Sequence, residues 1–490
     1  MRLLGKGICI TACIALVTAA PALGQLRLTP SLGVSETFSD NVDQDPAGEE
    51  DAAFLTDVAP RVQLQWVAPR ASATVDAATT FRQQTAGEDE GVEALPNLAG
   101  LANVEVSPDL FFVDASAAVS QELINTRESN TEANRETVQN YSVSPYLVSH
   151  LGGFANAELR YTLDQIFANG GDGESGSGQS VAGGDDISNA TTHAVGLTLE
   201  SGPDFTRLSW TFTGSASESH RSNDDVVERR DVNLGLEYVV TREISLLASA
   251  GYQKFDSGDS EDEVNSPTWQ AGFRWRPGPR TDLRATYGER DDVKSVTANL
   301  SYQIGPGTAL LAAYEEHLET GQERLSRDLS FIGSDPSSGA LIDTRTGLPF
   351  DPNTAATTLT DATERTKTFR VAFRADRGRN TYELSGAVEN SEEEGGLGNA
   401  NDERAYRIDA DWGRQMSPAT RLDLFGSYER NEFEGQDRTD NEYGIGGNLS
   451  YSVYTNIDAF ASYVFRKQSS DDESGEFTEN SVTVGIRMTF

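Results

Sequence analysis

The sequence predicts an all-β fold, a transmembrane antiparallel up-and-down β-barrel of about 22 strands. Apolar residues recur at every second position, connections alternate between short and long, and aromatic residues stand near the ends of extended segments.

The first element is an export signal. Residues 1–24, "MRLLGKGICITACIALVTAAPALG", set Arg2 and Lys6 before an apolar run and end on small residues at Ala22-Leu23-Gly24. Cleavage there predicts a mature chain beginning at Gln25. "ITAC" before Cys13 imitates a lipidation box, but leaves only about six apolar residues ahead of the cysteine where roughly 7–15 are usual. Cys9 and Cys13 both lie in the signal, so disulfide and thiolate metal chemistry are excluded from the exported protein.

The whole chain carries 39 Lys and Arg against 77 Asp and Glu, a net charge of −38. Removing Arg2 and Lys6 with the signal leaves 37 against 77, or −40, so nucleic acid is not an expected partner. No stretch after Gln25 approaches the roughly 20 apolar residues of a spanning helix. Residues 25–490 are therefore expected to form one β domain.

Period two is clearest where Val232, Leu234, Leu236, Tyr238 and Val240 interleave with Asn233, Gly235, Glu237 and Val239. Tyr406, Ile408, Ala410 and Trp412 likewise alternate with Arg407, Asp409 and Asp411. A charged second face suits the outside of a sandwich or the lumen of a barrel. The connections decide between them. Short turns recur at "PRA" near residue 70, "SPD", "HLGG", "SGPD", "TRE", "RPGPR", "GPG", "DRGR", "QMSPA" and "YTN". Between consecutive short turns lie an outgoing strand, a usually longer polar loop and a returning strand, which is how outer-membrane barrels are built. This parity gives 22 strands with both termini on the short-turn side; the short hairpin at Arg290 to Val293 and the weakly apolar first four strands leave 18 or 20 open.

Aromatic placement is an independent test. Trp269 and Trp275, Tyr406 and Trp412, and Tyr443 and Tyr451 are outward pairs on returning strands. Their spacing corresponds to roughly 15–20 Å along a tilted strand, close to the apolar band of about 25 Å. The last stretch, "SVTVGIRMTF", sets Val482, Val484, Ile486, Met488 and Phe490 on one face. As a closing strand it should pair with the first, because a lipid-exposed edge leaves backbone groups unpaired. Thr483, Gly485, Met488 and Phe490 look like the terminal signal recognised by bacterial barrel-assembly machinery, an expected partner.

The segment Leu28 to Leu64 contains Ser35-Glu36-Thr37-Phe38 followed by Asp40-Asn41. It resembles the start of outer-membrane barrels found beside exosortase (PEP-CTERM) and exopolysaccharide gene clusters, the beta-barrel porin type 2 group. "LIDTRTGLPFDPNT", Leu341 to Thr354, also looks like a segment of that family. The resemblance implies an integral protein of the Gram-negative outer membrane, in contact with lipid and lipopolysaccharide, with polysaccharide-export components as further partners.

A cylinder of 22 strands has a backbone diameter of roughly 40 Å, too wide for side chains alone to fill. Because the first strand begins close to Gln25, no separate plug domain is expected. The longest loop, about 316–364, contains Leu329, Phe331, Ile332, Leu341, Leu348 and Phe350; folding inward as a constriction and capping the outside are both consistent with it. Expected lumen-lining residues are Arg274, Arg276, Arg284, Arg290, Arg370 and Arg374, with Glu383, Glu389, Asp409, Asp411 and Asp423 as acids. They could set up a field across the lumen or simply pair between neighbouring strands. Negative charge concentrates in loops such as "DQDPAGEED", "GEDEGVE", "DSGDSEDEV", "ENSEEEGG" and "SSDDESGE". Solvation accounts for these runs; divalent cations bridging to lipopolysaccharide would also use them, but no ligand spacing marks a metal site, and "GGDGESGSG" at 170–178 imitates a calcium repeat only once. His150, His193, His220 and His317 are scattered and no phosphate loop follows the glycine-rich stretch, so neither an enzyme nor a cofactor is expected. The function expected is a passive porin-like conduit for polar solute or exported polysaccharide. The alternatives are a structural or assembly partner of an envelope polysaccharide or protein-sorting system with a blocked lumen and, distantly, a surface hydrolase.

Overall fold

Alternation along each strand becomes a closed wall. The computed structural model describes residues 24–490 apart from 88–90, 124–133, 170–186, 224, 258–262, 336–339, 351–359, 395–401, 437 and 473–474. Residues 1–23 of the export signal thus lie outside the described residues, as does the 170–178 glycine-rich stretch.

The wall begins with β1 (Gln25–Ser39), β2 (Ala53–Ala68), β3 (Ala71–Gln84), β4 (Gly91–Ser107), β5 (Phe111–Leu123), β6 (Arg135–Leu151), β7 (Ala155–Asn169) and β8 (Ala190–Ser201). It continues through β9 (Leu208–Arg221), β10 (Val226–Val239), β11 (Ile244–Asp256), β12 (Val264–Gly278), β13 (Thr281–Arg290), β14 (Val293–Gly305) and β15 (Thr308–Thr320). Helix α1 (Gly321–Ser330) and a two-stranded ribbon of β16 (Ile332–Ser334) and β17 (Leu341–Asp343) are inserted here. The wall resumes with β18 (Thr363–Arg377), β19 (Asn380–Glu393), β20 (Glu403–Ser417), β21 (Thr420–Phe433), β22 (Arg438–Tyr454), β23 (Ile457–Ser470) and β24 (Phe477–Thr489).

Neighbours in sequence pair antiparallel, and β24 returns to β1 in register from Ser31 opposite Thr489 to Ser39 opposite Ser481. The result is a closed sheet of 22 strands, the number the turn parity implies. Closure removes the edge whose unpaired N–H and C=O groups lipid could not satisfy.

The ten expected short turns all join strands at one end of the barrel. At the other end, Asp291 and Asp292 adopt φ of 52° and 58°, the left-handed pair of a two-residue type I′ hairpin, which accounts for the one conspicuously short outer connection. Gln253 Nε2 donates to Asp291 Oδ1 at 3.1 Å, and Arg365 Nη2 donates to the Asp291 carbonyl at 3.2 Å.

One face of the wall is apolar and exposed: Val232, Leu234, Leu236 and Tyr238 on β10, then Val482, Val484 and Ile486 on β24. So continuous an apolar surface is tolerable only against lipid. Trp269, Trp275, Tyr443 and Tyr451 are exposed on this face, while Tyr406 and Trp412 are half-buried. Across strands, the rings of Tyr428 and Tyr443 lie 5.0 Å apart and those of Trp269 and Tyr287 lie 6.1 Å apart, centroid to centroid. Phe490 ends the wall 72% exposed, its N–H donating to the Pro30 carbonyl at 2.9 Å.

Candidate functional site

The inserted segment between β15 and β18 turns into the barrel. Its helix opens on Thr320 with φ −91° and ψ 164°; the Thr320 hydroxyl accepts from the Glu323 N–H, and Glu323 accepts from the Thr320 N–H. This reciprocal capping box satisfies two otherwise orphaned donors. Glu323 also accepts from Arg229 of β10 at 3.0 Å, and Arg229 Nη2 donates to the Leu318 carbonyl at 2.7 Å. Asn140 of β6 donates to the Leu325 carbonyl at 2.8 Å. Arg324, buried, lies 3.8 Å from Glu364 of β18 and 3.6 Å from Glu389 of β19. One short helix touches β6, β10, β18 and β19, strands spread around a closed wall, and only the lumen is within reach of all of them.

Beyond the helix, Asp361 receives the Ser188 N–H at 2.7 Å and the Gln322 amide, and its carbonyl accepts Arg221 Nη1 at 2.9 Å. Arg345 donates to Asp328 Oδ1 and to Asp343 Oδ2, each at 2.7 Å, and its guanidinium lies 4.6 Å from the Phe331 ring centroid. Burial alone would push the Asp328 carboxyl up, but Arg345, Arg327 and Arg370 outweigh it and hold that carboxyl below its ordinary range. Among the apolar loop residues, Leu329 is buried, and Phe331, Ile332, Leu341, Leu348 and Phe350 are half-buried. Asp351 to Thr354 lie outside the described residues.

Most of the charged residues expected to line the lumen fall into two groups on the face opposite the apolar one. On β12 and β13, Arg274 pairs with Asp282 and lies 3.9 Å from Glu237, and Arg276 lies 3.8 Å from Glu237. Arg284 stands in register opposite Arg274. On β18 to β20, Arg370 donates to Glu389 at 3.4 Å, and Arg374 lies 3.6 Å from Glu383. Asp409 accepts from Ser385 at 3.4 Å, and Asp411 stands opposite Glu383. Arg290 is apart from both groups, at the outer hairpin, 3.7 Å from Asp291. Pairing between nearby strands is thus the main arrangement. Asp43, Asp45 and Asp51, in the outer loop after β1, can each bring a carboxylate oxygen within 4.8 Å of the others; burial, then Asp43 and Asp51, push the Asp45 carboxyl up.

Sequence reading left open whether the segment turned inward and missed α1. The signal for the helix was present: Thr320-x-x-Glu323 is a capping box, and Leu325 and Leu329 are spaced one turn apart. The four histidines stay dispersed, with His193 Nδ1 2.7 Å from the Tyr161 hydroxyl, His220 2.9 Å from Glu218 and His317 3.5 Å from Glu315.

An even-stranded closed barrel, apolar outside and polar inside, with short turns at one end, defines an outer-membrane β-barrel of porin-like fold. Residues 360–490 match the family model described as "Putative beta-barrel porin 2", the group that the segment Leu28 to Leu64 also resembles. No curated protein matches the sequence. Among solved structures, the siderophore receptor PirA from Acinetobacter baumannii is similar at 9% identity, over 95% of this chain and 80% of that one, with a TM-score of 0.50. The FrpB iron transporter from Neisseria meningitidis (F3-3 variant) is 9% identical over 97% and 82%, TM-score 0.49. OccK2 (OpdF) from Pseudomonas aeruginosa is 11% identical over 94% and 98%, TM-score 0.34. At such identities the likeness to PirA concerns the fold alone.

Proposed function

We propose that this protein is a non-enzymatic, loop-constricted conduit of the outer membrane, passing polar solute or exported polysaccharide passively. The observation that carries this reading is the segment from α1 to β17, anchored to several sectors of the inner wall through Arg229, Asn140 and Arg324. In this reading the segment does the narrowing that a separate plug domain would otherwise do, and export follows a cleaved signal at residues 1–24. Paired charges on the inner wall keep the remaining space hydrated and polar.

Single-channel recording in planar bilayers tests it. The full chain should give steady conductance, and Arg229→Ala combined with Arg324→Ala should raise and destabilise it as the segment loosens. The second reading, a blocked barrel serving as assembly partner of an envelope polysaccharide or protein-sorting system, is favoured by the same anchors. Silence from folded wild type and double variant alike would select it.

A further inference from the structure

We infer that the lumen holds a binding site for a sugar acid, between the inner face of β1 to β4 and the tip of the inserted segment. A cavity of about 690 Å³ lies there, within the range of small-molecule sites. Its two sides differ in chemistry. The wall offers amides and hydroxyls, chiefly Gln63, Thr74 and Asn97, whereas the segment offers Leu341, Pro349 and Phe350. Alternation explains the wall: Leu26 and Leu28 are exposed on the outer face, so Arg27 and Thr29 stand on the inner one, and the register places Arg27 opposite Gln65.

The charge is decisive. Arg61 pairs with Asp76, to which Gln63 Nε2 also donates at 2.9 Å, so those two charges cancel. Arg27 lines the same cavity without a hydrogen bond or ion pair among the described residues. The cavity therefore keeps a single positive charge in a protein of net charge −38. An inorganic anion would leave the apolar side unused, and an aromatic carboxylate would leave the Asn97 amide and the Thr74 hydroxyl unused. A polyhydroxylated monocarboxylate meets all three demands: its C–H face lies on Phe350 and Pro349, its hydroxyls bond to Asn97 and Thr74, and its carboxylate takes Arg27.

The inference rests on the proposal that solute reaches the lumen, but binding is measured without conduction. Calorimetric titration of the full chain in detergent micelles should show D-galacturonate binding about tenfold tighter than D-galactose. Arg27→Gln should erase that preference, and Phe350→Ala should weaken both sugars, with heat-modifiable gel mobility confirming that each variant is folded. Trigalacturonate binding tighter than the monomer marks a polysaccharide unit as the ligand, and no gain marks a free sugar acid; either supports the site. Phenylacetate binding as tightly as galacturonate, a galacturonate affinity unchanged by Arg27→Gln, or no binding at all would overturn it. Binding by a protein that proves silent in bilayers would sink the conduit reading and leave the site standing.

Discussion

Asp40 and Asn480 close the barrel together across 440 positions of sequence: Asp40 Oδ1 accepts the Asn480 backbone N–H at 2.6 Å and Oδ2 accepts its side-chain amide at 2.8 Å. Around them, Thr37 and Thr483 hydroxyls lie 2.8 Å apart, Ser39 donates to Glu479 at 2.8 Å, and Asn41 donates to the Thr478 carbonyl at 3.2 Å. Within the motif that resembles the porin type 2 group, Thr37, Asp40 and Asn41 thus stitch the first strand to the last, while Glu36 and Phe38 meet Thr56 and Phe54 of β2. Asp40→Ala should cost about 1–3 kcal/mol, since it removes charge-assisted bonds to two donors. A double-mutant cycle with Asn480→Ala, followed by urea unfolding in micelles, should return a coupling of at least about 0.5 kcal/mol. Additive losses would mean the contact does not hold the seam.

Gly485 is required by packing as well as by any assembly signal. A Cβ there would meet the Phe460 ring at 2.5 Å and Ser35 Cβ at 2.8 Å, because Phe460 covers the glycine from the neighbouring strand. Aromatic cover of a strand glycine is a known stabilising device. Gly485→Ala should lower stability by about 1–3 kcal/mol through overpacking, and Phe460→Leu in the same chain should restore part of it. Equal instability in single and double variants would point away from this contact.

The outer face can be probed by charge. Leu234, near the middle of β10 and 45% exposed, faces lipid, whereas Asn233 beside it faces the lumen. Leu234→Arg should destabilise the barrel by about 2–4 kcal/mol in bilayers. Asn233→Arg should cost far less, and the difference in refolding yield into vesicles measures which face meets lipid.

Acid should loosen the inserted segment. Asp328 is held below its ordinary carboxyl range by Arg345, Arg327 and Arg370 despite its burial. A group with a lowered folded value stabilises docking above its unfolded value, 3.8, and that contribution is lost as pH falls through the folded value. Conductance and protease sensitivity of the segment should therefore rise as pH falls below about 4. Asp328→Asn should show the loosened behaviour already at neutral pH.

Much of the barrel could be read in the residue order. Period-two alternation is a property of the extended backbone itself, so the lipid face of β10 and the closing face of β24 were visible before any partner was known. The parity of turns such as "DRGR" and "GPG" counted the strands, because an antiparallel wall must reverse at each end. The expectation that Arg274 and Arg370 face the lumen rests on the same alternation.

Other features needed the fold. Whether the segment after Thr320 turned in or out depended on Arg229, Asn140 and Glu389, which lie far from it in sequence and come within reach only when the wall closes. Arg27 and Phe350 share one cavity for the same reason. Alternation is set residue by residue through covalent geometry, but a contact between distant strands depends on the summed register of every strand between them, and that sum exists only in the closed barrel.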